Sequence, residues 1–158
     1  MTSEKKSEYT LRISNASRAE LIVILYDMAI TYIQDAKDAE RSGRTEDMKL
    51  EIARAISCIE EMQNNLHFEY ELAKKLKQLY IYMKKQLRLA MISNEPSGLA
   101  DVESKLKVLR EAYDKIAGTD TSGPVMVHTQ AVLTGMTYSK TKALESLTTE
   151  CASRGYRV

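Results

Sequence analysis

The chain has 158 residues, 44% of them hydrophobic and 28% charged, with 23 basic against 22 acidic side chains. That length fits one core of ordinary size, burying roughly 69% of the unfolded surface, and does not suit two independent domains. The even charge balance argues against a dedicated nucleic-acid binder; no apolar run approaches the ~18 residues of a membrane span, and Met1 to Thr10 lacks the apolar centre of a signal peptide.

A cytoplasmic location is therefore expected, with Cys58 and Cys151 as unpaired thiols. Only two prolines and six glycines interrupt the chain, so most of it can be helical. Nine tyrosines stand against one Phe and no Trp. A ring with a polar tip suits the boundary between core and surface, where partner proteins also dock.

Residues 1–16 read as a polar arm with isolated apolar side chains at Tyr9, Leu11 and Ile13, whose spacing by two predicts an extended segment. Ser17 then opens the first helix, and Glu20 completes a capping box. Leu21, Leu25, Met28, Tyr32 and Ala36 form its apolar seam, and Gly43 supplies the stop. A second helix starts near Thr45, with Glu46 and Asp47 in its first turn, and carries Met48, Ile52, Ala55, Ile59, Met62 and Leu66. The third carries Leu72, Leu76, Leu79, Met83, Leu87 and Ala90 and stops before Pro96. The fourth opens at Ser97 or Asp101, carries Leu99, Val102, Leu106, Leu109, Tyr113 and Ile116, and ends at Gly118.

Helices of ~19 to 26 residues joined by short loops predict an all-α fold, an antiparallel four-helix bundle. The expected organisation is an extended arm at 1–16, a bundle domain at 17–118, and a linker and tail at 119–158. In that tail Val125 to Tyr138 has no clear period, and Ala143, Leu144, Leu147 and Cys151 have the spacing of a short amphipathic helix. Only Asn64 and Asn65 mark a turn between the second and third helices. A tight turn at 64–68 is expected, with one continuous helix exchanged between subunits as the alternative.

Catalytic chemistry finds no footing in this pattern. Carboxylate-bridged di-metal bundles need Glu-x-x-His pairs, whereas Asn64 and Val125 stand three residues before His67 and His128. There is no Cys-x-x-Cys, no glycine-rich phosphate loop and no nucleophile elbow. His67 lacks the Lys, Arg or glycine neighbours of a phospho-accepting histidine. No cofactor, metal or catalytic residue is expected. The third helix is basic (Lys74, Lys75, Lys77, Lys84, Lys85 and Arg88) and the second acidic (Glu46, Asp47, Glu51, Glu60 and Glu61). Such faces most simply attract one another, or else offer an acidic partner a basic flank.

The informative features are two apolar runs too dense for one seam: Leu21 to Leu25, and Leu79 to Met83. At ~100° per residue, five consecutive positions cover more than a full turn and cannot all face one core. Ile22, Tyr26, Ala29 and Ile33 make a second stripe beside the first. The excess is covered either by the arm and tail of this chain or by another protein's helices.

At these residues the sequence resembles the flagellar secretion chaperone FliS family. The anchors are Tyr9, Ile13, Ala16-Ser17, Glu20-Leu21, Leu25-Tyr26-Asp27 and Ala29, then Leu66, Glu69, Glu71-Leu72-Ala73, Leu76, Leu79-Tyr80, Tyr82-Met83, Leu87 and Ala90, and finally Leu109 to Tyr113. Arg18 stands where the family usually has Pro, and Met28 where it has Gly. The resemblance implies a non-enzymatic chaperone whose apolar grooves receive the disordered C-terminal segment of flagellin before export, preventing premature polymerisation. Ile22, Tyr26, Ile33, Tyr80, Ile81 and Tyr82 are expected to contribute to the groove, with Tyr9, Leu11 and Ile13 as a gating arm. Besides flagellin, the flagellar export apparatus is a candidate partner; nucleic acid and membrane insertion are not expected, and monomer and homodimer both stay open. The competing class is a regulatory helical adaptor that binds another protein or itself.

Overall fold

The computed structural model describes residues 2–66, 71–119, 121 and 123–125. Among these there are five α-helices and no strand: α1 (Ser3–Asn15), α2 (Arg18–Arg41), α3 (Thr45–Asn64), α4 (Glu71–Ser93) and α5 (Leu99–Ala117), with a 3-10 turn at Pro96–Gly98. His67, His128, Cys151 and the helix expected around Ala143 to Cys151 lie outside the described residues.

The arm is helical, not extended. Thr2 caps α1 by accepting from the Lys5 N–H, and the segment that follows is rich in Glu, Lys, Leu and Arg, all good helix formers. Spacing by two makes a strand only where a neighbouring strand supplies backbone partners, and among the described residues none stands beside the arm. The helical period instead puts Tyr9, Arg12 and Ile13 on one face and turns Leu11 outward, 66% exposed. At Ala16 the backbone becomes extended, and the capping box of Ser17 and Glu20 starts α2.

α2 runs to the stop at Gly43, whose φ of +68° suits a residue without Cβ. The Arg44 N–H returns to the Ala39 carbonyl at 2.9 Å, so the chain reverses tightly into α3. α2 and α3 are antiparallel, with the Arg54 guanidinium 6.0 Å from the centre of the Tyr32 ring. α5 runs antiparallel to α2, with Gln34 donating to Glu103 near one end and Arg110 to Asp27 near the other. α4 packs against α3 and α5. α3 ends at the Asn65 cap, and Lys84 and Arg88 of α4 both reach back to Glu60 of α3, so the second and third expected helices are separate.

The core is built from Tyr26, Ala29, Ile33 and Ala36 of α2, Met48, Ile52, Ala55 and Ile59 of α3, Tyr80, Met83 and Leu87 of α4, and Leu99, Val102 and Leu106 of α5. Each large aliphatic side chain buried there contributes about 1.5–3 kcal/mol. This changes most of the expected assignment in α2. Tyr26, Ala29 and Ile33 of the stripe read as surplus are in the core while Ile22 is half-buried, and of the expected seam Ala36 is buried but Leu21, Leu25, Met28 and Tyr32 are only half-buried. Ala29 and Ala36 are both fully buried, and such small side chains let the neighbouring helices come close to the α2 backbone. In α5, Ile116 was expected in the seam and is 57% exposed.

Candidate functional site

Three of the six residues expected to form a partner groove are inside the protein. Tyr26 and Ile33 are fully buried and Tyr80 is 1% exposed. The hydroxyls of Tyr26 and Tyr80 hydrogen-bond to each other across the α2–α4 contact, and the Tyr113 ring lies 5.4 Å from that of Tyr26, centre to centre. Burial pushes the Tyr80 phenol up to about 12 against the lowering effect of its bond from Tyr26. It pushes Tyr26 up further, and there both neighbouring tyrosines add to the effect. A tyrosine can sit this deep because its partner meets the one polar atom it carries. Tyr26, Ile33 and Tyr80 therefore hold helices together and are not groove surface.

Ile22 is half-buried and lines a groove of about 690 Å³ at one end of the helical body. Its apolar lining also includes Ile13 of α1, Leu21 and Leu25 of α2, and Leu66, past the end of α3. Arg18, Glu61, Asn64 and Asn65 supply a polar rim. Val125 also lines this groove, held by its N–H on the Ala16 carbonyl at 3.1 Å. The sequence reading had placed Leu21, Leu25 and Leu66 in the core seam.

Ile81 and Tyr82 are exposed, at 50% and 41%. They belong to the outward side of α4, where Leu89 and Ile92 add further apolar surface that the sequence reading did not select. Tyr82 is also fixed, donating its hydroxyl to Asp101 at 3.0 Å with the Lys105 ammonium over its ring.

The arm is docked by polar contacts. The hydroxyls of Tyr9 and Thr31 are 3.0 Å apart, and Arg12 donates to Asp27 at 2.7 Å. The other oxygen of Asp27 accepts from Arg110 of α5 at 3.0 Å, so one carboxylate ties α1, α2 and α5 together. Arg12 and Arg110 also line a second groove, about 530 Å³, between α1, α2 and the end of α5. The arm thus contributes Ile13 to one groove and Arg12 to the other.

Elsewhere the charges stabilise the fold. Glu103 is 8% exposed and accepts from Gln34, Lys37 and Lys107. Burial works to raise its carboxyl, but those bonds and the Lys37 charge together hold it down at about 2. Cys58 is buried and free, its thiol pushed up to about 11 by that burial. Among the described residues no cluster of three His, Cys, Asp or Glu side chains could hold a metal, and no helix is long and apolar enough to cross a membrane.

Comparison with known proteins gives the family. The family model described as flagellar protein FliS matches residues 1–120. The flagellar secretion chaperone FliS of Bacillus subtilis (strain 168) is 28% identical over 101 residues, 64% of this chain and 76% of the relative. The flagellar secretion chaperone FliS of Vibrio cholerae serotype O1 is 28% identical over 114 residues, 71% of this chain and 84% of the relative. The match begins at the arm and ends just past α5, so all five helices and the lining of both grooves except Val125 fall within it. This chain belongs to the FliS family, a family of chaperones and not of enzymes.

Proposed function

We propose that this protein is a cytoplasmic flagellar export chaperone that binds the disordered C-terminal segment of flagellin and keeps it from polymerising before secretion. The observation that carries this reading is the groove of about 690 Å³ whose apolar lining includes Leu21, Ile22, Leu25 and Leu66, a surface suited to the apolar face of a partner helix. Family membership supplies the class of partner, since the two relatives are named flagellar secretion chaperones. Ile81, Tyr82, Leu89 and Ile92 on α4 offer a second apolar strip over which a wrapping segment would continue. Ordering a disordered segment opposes part of the gain from burial, which keeps such a complex releasable.

In this reading the docked arm competes with the partner, because Ile13 lies along the Leu21, Ile22 and Leu25 surface that the partner needs. Calorimetry of the full chain with a flagellin C-terminal segment tests the proposal. The expected result is a one-to-one complex with Kd of about 1 μM or tighter and a negative heat-capacity change. No heat and no heat-capacity change with both components at ~100 μM overturns it.

A further inference from the structure

We propose that the apolar groove at the end of the helical body is the docking site for this chain's own tail, the segment Met126–Leu133. The described chain leaves the body inside that groove. Val125 lines it together with Ile13, Leu21, Ile22, Leu25 and Leu66, and the Val125 N–H is fixed on the Ala16 carbonyl at 3.1 Å. Ala16 is 3% exposed, so this anchor sits at a buried junction between α1 and α2. The next residues are Met126 and Val127, and Ala131, Val132 and Leu133 follow within the same short stretch.

Proximity favours this occupant. The eight residues begin at the groove and reach roughly 27 Å when extended, enough to cross a groove of this size. A segment tethered at its own binding surface is present there at an effective concentration of about millimolar, ahead of any free partner at cellular levels. Val125 is itself still 45% exposed, so apolar side chains from the tail would cover it along with the groove lining. The family match stops at residue 120, so this segment lies outside it. The inference does not depend on what else the groove binds.

Two measurements on the full-length chain without any partner test it. Methyl-labelled NMR is expected to show NOEs from Val132 and Leu133 to Ile22 and Leu25 within one chain. Absence of those NOEs overturns the proposal. NOEs found only between differently labelled copies also overturn it, because a second copy would then fill the groove. In parallel, the variant Val132→Ser with Leu133→Ser is expected to raise the emission of a bound anilinonaphthalene sulfonate dye by about threefold as the groove opens. Unchanged emission contradicts the docking.

Discussion

The Tyr26–Tyr80 pair separates the two roles a tyrosine on these helices could have. Both hydroxyls are buried and satisfy each other. Tyr80→Phe leaves the Tyr26 hydroxyl in the core without its partner, a loss of about 1–3 kcal/mol. For a chain of this size that lowers Tm by about 3–9 °C. Tyr26→Phe has the mirror effect on Tyr80. Replacing both removes the polar atoms together and leaves the rings packed, so the double variant should return to within about 1 kcal/mol of the wild type. Urea unfolding of all four proteins, followed by far-UV circular dichroism, gives the coupling energy directly, and it should exceed about 1 kcal/mol. Strict additivity of the two single changes would refute the buried pair. The double variant should also keep affinity for a flagellin segment within about threefold, since neither ring reaches the groove.

Three further outcomes are expected. The Glu103 carboxyl, held at about 2 when folded, contributes stability that is present above its unfolded pKa and lost as pH falls from roughly 5 to 2. Acid titration should therefore show the wild type losing stability more steeply than Glu103→Gln in that window, with the two converging near its lower end. Ile81→Ser with Ile92→Ser should change unfolding free energy by less than about 1 kcal/mol; partner binding should weaken by about 2 kcal/mol, roughly thirtyfold by titration calorimetry. Tyr9→Ser with Ile13→Ser removes arm contacts to Thr31 and the groove, and should tighten flagellin binding while increasing self-association by analytical ultracentrifugation.

Helix boundaries were legible because their signals are local. The Ser17 and Glu20 capping box, the Gly43 stop and the end at Gly118 all depend on nearby backbone groups, and each stands where the residues placed it. The acidic and basic helices also meet as charge alone implied, through Glu60 with Lys84 and Arg88. What failed was nonlocal. α2 carries two apolar stripes of similar strength, and only the placement of three neighbouring helices decides that Tyr26 and Ile33 go inward while Leu21 and Leu25 line a groove. The arm misled for a related reason. Spacing by two at Tyr9, Leu11 and Ile13 says nothing without a partner strand, and the docking of α1 rests on Arg12 and Asp27, fifteen positions apart.

Seeded flagellin polymerisation, followed by light scattering with this full-length chain added, reports most directly on the chaperone assignment. Monomeric flagellin with an equimolar amount of the chain should polymerise at least about tenfold more slowly than flagellin alone, as expected when a micromolar or tighter complex removes most of the free monomer. Flagellin lacking its C-terminal segment should no longer be captured by the chain. An unchanged polymerisation rate at equimolar and at tenfold excess chain would contradict the assignment.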